Sequence, residues 1–84
     1  MAELTFKQRR ELGLTIPSMV RAARKLGKRL HPDPDIASAQ ILQELVAENP
    51  KAFAKPGINW EAILAFIEKL LPIILQIISI FAAI

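Results

Sequence analysis

The sequence predicts an all-α fold: two to three short N-terminal helices followed by one long C-terminal hydrophobic helix. Three observations carry that prediction. Apolar residues recur at spacings of three and four in every long segment, and no run alternates with the period of two that a half-buried strand needs. Prolines and glycines punctuate the chain between these segments. The last stretch, Ile58 to Ile84, is apolar almost throughout, and Leu70 to Ile84 carry no charge.

Taken in order, Thr5 is placed to cap a first helix over about 5–13, with Gly13 as a weak stop signal. Thr15 and Pro17 open a second, over about 17–30, because proline is tolerated in a first turn. Its apolar stripe is Val20, Ala23, Leu26 and Leu30, opposite Arg21, Arg24, Lys25, Lys28 and Arg29. Gly27 weakens this helix, and His31-Pro32-Asp33-Pro34 breaks it. Asp33 then caps a third helix over about 34–49, with Pro34 in its first turn. Ile36, Ala39, Leu42, Leu45 and Val46 are expected to point inward, and Pro50 ends the helix. Residues 51–57 read as a connector with a Pro56-Gly57 turn. Asn59 caps the last helix, with Ile58 and Ile63 spaced for a hydrophobic staple. The organisation is a helical head over residues 1–57 and a hydrophobic helix over 58–84.

That last helix carries a continuous seam: Trp60, Ile63, Ile67, Leu70, Ile74, Ile77, Phe81 and Ile84 follow at spacings of three and four. Leu64, Leu71 and Ile78 flank it on one side and Phe66, Ile73 and Ile80 on the other. A narrow stripe holding Glu61, Ala65, Glu68, Pro72, Gln76, Ser79 and Ala83 remains, with Lys69 beside it. A helix this apolar is a membrane span or the centre of a larger core. The uncharged stretch is roughly 22 Å long, short of a ~30 Å hydrocarbon layer unless Lys69 snorkels. On an insertion scale, Leu, Ile and Phe contribute roughly −4 to −8 kcal/mol and Glu68 with Lys69 up to about +5 to +7, so the sum is near zero or modestly favourable. Pro72 suits a membrane helix or starts a new segment after a break at Leu71.

Charge is graded along the 84 residues, whose net charge is +3. Lys7 to His31 hold eight bases and one acid, Pro32 to Asn49 hold acids alone, and after Ile58 only Glu61, Glu68 and Lys69 are charged. The basic second helix is expected to meet an anionic surface, lipid headgroups or nucleic-acid phosphate. Positive-inside logic puts the head on the cytoplasmic or interior side. With no cysteine there is no disulfide or thiolate metal site. The opening residues lack the apolar core of a signal peptide.

One stretch resembles a known family. Lys7-Gln8-Arg9-Arg10-Glu11-Leu12-Gly13-Leu14-Thr15, with Ala22-Ala23 and Leu26-Gly27, looks like the opening of a phage-repressor helix-turn-helix, over about 20 residues of common type. The family implies a polar, basic recognition helix next. Here that place holds Lys28-Arg29-Leu30-His31-Pro32-Asp33-Pro34, a poor groove reader.

No nucleophile motif, phosphate loop or metal-ligand set is present. His31, the sole histidine, reads as a turn residue, and Asp33 and Asp35 as helix-start charges. No catalytic residue or cofactor is expected. The expectation is a non-enzymatic structural or assembly protein, as minor virion and membrane-complex components are. Its last helix would enter a bilayer or the apolar core of an assembly through Ile63, Ile67, Leu70, Ile74, Ile77 and Phe81, with Glu68 and Gln76 at the helix contacts. The alternatives are a soluble helical homo-oligomer built on the seam and, further off, a nucleic-acid-binding module.

Overall fold

In the computed structural model, which describes residues 4–83, α1 spans Phe6–Glu11, α2 Ile16–Leu26, α3 Pro34–Glu48, α4 Pro50–Phe53 and α5 Trp60–Ala83. No strand occurs among the described residues. Helices α2, α3 and α5 pack pairwise on one another, and α5 runs along the longest dimension of a 40 × 24 × 21 Å body.

Capping explains the boundaries. The Thr5 hydroxyl accepts from the Gln8 N–H at 3.1 Å while the Gln8 side chain accepts from the Thr5 N–H at 2.9 Å, a complete capping box. Gly13 is a firm stop rather than a weak one. At φ +73° it lets its own N–H reach the Arg10 carbonyl and the Leu14 N–H reach the Arg9 carbonyl at 2.8 Å, which closes the helix in a Schellman turn. Helix α2 ends at Leu26, four residues before the expected limit. Gly27 turns at φ +54° into a single 3₁₀ turn over Gly27–Arg29, so this glycine ends the helix instead of weakening it. Asp33 caps α3 by accepting from the Asp35 and Ile36 N–H groups, and Asn59 Oδ1 accepts from the Ala62 N–H at 3.1 Å at the start of α5.

The core is shared by three helices. Met19, Ile41, Ile63, Ile67 and Ile74 have no exposed surface, and Ala22, Ala23, Ala37 and Ser38 lie beside them. The inward face of α3 differs from expectation: Ile36 and Ala39 are exposed, while Ala37, Ser38, Ile41, Leu42 and Leu45 are buried. Because α3 covers both α2 and α5, its buried face is wide and centred nearer Ser38 and Ile41 than Ala39 and Leu42. Within the expected connector, α4 buries Phe53, which stacks on Trp60 at 5.8 Å. Helix α5 continues unbroken through Pro72.

Candidate functional site

The apolar seam of α5 divides into two parts. Ile63, Ile67 and Ile74 are spent inside the chain's own core, where α2 and α3 cover them together with Leu71. Leu70 and Ile77 are half-buried at its edge and Phe81 is 51% exposed; Ile84 lies outside the described residues. One continuous seam waiting for a partner is therefore not what the fold presents. What it leaves open is the flank of Ile73 and Ile80, which half-buried Phe66 continues toward the N-terminal end, with Phe81 beside it and Leu75 exposed separately on the other side of the helix.

Two open grooves run along this flank. The first lies where α1 and the start of α2 meet α5, between Phe6, Leu14, Ile16, Phe66 and Leu70, with Arg9 and Arg10 at its rim. The second lies between α2 and the end of α5, lined by Ile16, Val20, Ile77 and Phe81, with Arg21, Arg24 and Lys25 at its rim. Ile16 lines both grooves, which meet at this residue and together are termed the trough. Phe66 to Phe81 is about 22 Å of helix.

The guanidiniums are seated on rings. Arg9 lies 5.1 Å from the Phe66 centroid and 5.9 Å from Phe6, Arg10 lies 5.9 Å from Phe6, and Arg24 lies 5.1 Å from Phe81. These are cation–π distances that hold each charge at the edge of apolar surface. Arg21 donates to Ser18 Oγ at 3.4 Å, and Lys25 pairs with Glu48 at 3.5 Å. Among the described residues, no carboxylate lies within ion-pair distance of Arg9, Arg10, Arg21 or Arg24.

The five expected basic residues are thus not one site. Arg21, Arg24 and Lys25 rim the trough, whereas Lys28 and Arg29 sit on the 3₁₀ turn beyond it, Arg29 donating to the Lys25 carbonyl at 3.2 Å. Arg9 and Arg10 take their place. Sequence reasoning missed that role because only tertiary packing brings α1 beside Phe66; the spacing of Phe6, Arg9 and Arg10 on one helix face was the available signal.

Compared with known proteins, the chain matches no family model, no curated protein and no solved structure. The chemistry of its surfaces alone carries the functional reading.

Gln76 is exposed on the side of α5 opposite its buried face, whereas Glu68 is exposed on the side toward the start of α3. Asp35, at the start of α3, is within hydrogen-bonding reach of Glu68, and its charge, with that of Asp33, raises the Glu68 carboxyl above its ordinary pKa. His31 Nδ1 accepts from the Asp33 N–H at 3.0 Å, and the His31 N–H donates to Gln40 Oε1 at 2.8 Å, so this histidine helps to build the turn. Among the described residues no group of three His, Cys, Asp or Glu could hold a metal ion. A cleft of about 240 Å³ between α1 and the 55–59 turn contains Glu11 and Lys55, which pair with each other at 3.8 Å. It is smaller than ordinary ligand pockets of about 300–1,000 Å³.

Proposed function

We propose that this is a non-enzymatic, membrane-associated structural protein that docks on a bilayer through the open flank and the C-terminal end of α5. The observation that carries this reading is the uncovered apolar flank past Pro72: Ile73 at 43% and Ile80 at 58% exposure on one side of α5, with Phe81 beside them at 51%. Contiguous apolar surface of this kind marks an interaction site.

Helix α5 is also long and apolar enough to cross a membrane, over Trp60–Phe81. The fold argues for lying on the bilayer instead. Spanning would take Ile63, Ile67, Leu71 and Ile74 away from α2 and α3, leaving Met19, Leu26, Ile41 and Leu45 uncovered in water. Uncovering four large side chains costs roughly 6–12 kcal/mol, comparable with the whole stability of a small domain. Glu68 and Lys69 would add to that cost.

Flotation with phospholipid vesicles tests the reading. The full chain is expected to float, and Ile80→Ser with Phe81→Ser to float much less while keeping its helical circular dichroism. A full chain that stays in the aqueous phase as a monomer rules the reading out.

A second reading has one observation in its favour. The chain exposes 5892 Å², whereas a folded monomer of its mass exposes about 5,000 Å². The surplus is close to the roughly 800 Å² that one partner buries in a standard protein interface. A defined soluble oligomer that ignores vesicles would identify a second copy as the cover.

A further inference from the structure

The geometry points to a preference for anionic phospholipid, read by the arginine-rimmed trough; this rests on the membrane reading above and specifies its partner. Arg9, Arg10, Arg21 and Arg24 stand along the two grooves that meet at Ile16, and among the described residues no acidic side chain lines either groove. Three of the four guanidiniums lie against Phe6, Phe66 or Phe81, so each charge is fixed where the apolar floor ends. A bilayer surface has the complementary section: acyl chain below, phosphate above, a few ångströms apart. An interfacial helix uses the same arrangement, apolar face down and cations at the headgroups.

The other anionic partners complement less of this surface. Nucleic acid would satisfy the arginines and leave Ile16, Phe66, Ile77 and Phe81 facing its sugar-phosphate backbone. Three of the chain's own acids, Asp33, Asp35 and Glu68, gather around the start of α3 and the neighbouring part of α5, outside the trough, while Glu48 pairs with Lys25 at its rim and Glu11 with Lys55. The commitment is therefore to a bilayer carrying negatively charged headgroups, contacted by α1, the start of α2 and the open flank of α5.

The test uses the full chain with phosphatidylcholine vesicles, with and without phosphatidylserine. Binding is expected to be much tighter to the phosphatidylserine vesicles and to weaken steeply with salt. Arg21→Gln with Arg24→Gln, and separately Arg9→Gln with Arg10→Gln, should each reduce that binding by about fivefold per charge removed. Lys28→Gln with Arg29→Gln removes the same charge outside the trough and should cost less than about twofold. The proposal is overturned if this control pair costs as much as the trough pairs, because binding would then be diffuse attraction to net charge. Salt-insensitive binding, equal for both vesicle types, overturns it while leaving the membrane reading intact. Failure to bind either vesicle removes the reading on which it rests. The salt dependence of the unmodified chain decides the matter if a variant does not fold.

Discussion

Ser38 is the one buried polar residue of the core, 1% exposed, and its hydroxyl has no hydrogen-bond partner among the described residues. A buried donor left unmade carries a desolvation cost of about 1–3 kcal/mol. Ser38→Ala is therefore expected to raise stability by about 1 kcal/mol, measured by urea unfolding; a loss of stability would reveal a partner for the hydroxyl. Glu68 makes a different prediction. Its proton is held more tightly in the folded chain than in the unfolded one, because Asp35 and Asp33 face it. The folded state thus carries a repulsion at neutral pH that is relieved as pH falls through the raised value. Glu68→Gln should raise the thermal midpoint slightly at pH 7, with the gain shrinking toward acid pH. Neither contact was legible in the sequence. The apolar spacing of α3 does not single out Ser38, and Glu68 lies 33 positions from Asp35 along the chain.

At the scale of elements, caps were the most readable feature. Thr5, Thr15, Asp33 and Asn59 each accept the hydrogen bonds that their sequence context promised. Helix ends were less readable, since Gly13 and Gly27 act through positive φ, a property that periodicity does not report. The inward face of α3 was misplaced because its apolar residues are spread around the helix, and only contact with two neighbours selects a side. Proline inside a helix removes one hydrogen bond and crowds the preceding turn at ~3 kcal/mol. Pro72 lies on the exposed side of an otherwise regular α5, so Pro72→Ala is expected to stabilise the chain by about 1–3 kcal/mol. An unchanged denaturation midpoint would mean that the helix already accommodates the ring without loss.

At the scale of the whole molecule, the excess of apolar surface was visible in composition, but its distribution was not. The sequence presents α5 as apolar on nearly every side. Folding then assigns those sides unequally: one to α2 and α3, one to the trough, and one to a polar stripe. Trp60 therefore distinguishes the proposed docking on a bilayer from a spanning α5. The indole stacks on Phe53 and neighbours Leu42 and Val46 on the α3 side, away from the trough. With the chain lying on the bilayer, brominated lipid should quench Trp60 only weakly. A spanning α5 would carry this residue into the interface and give strong quenching.

The small side chains between α2 and α3 have a consequence for how the surface can be tuned. Ala22 and Ala23 of α2 and Ala37 and Ser38 of α3 are the thinnest members of the core, and the distance between packed helices depends on the size of the side chains at their contact. Arg21 and Arg24 ride on one of those helices, whereas Phe81 is fixed to α5. A larger side chain at the α2–α3 contact, as in Ala37→Leu, is expected to overpack the core by about 1–3 kcal/mol, read as a lower urea midpoint, without altering any residue of the trough itself. The arginines of α2 thus stand on a helix whose seat is set by buried side chains rather than by the exposed residues around them.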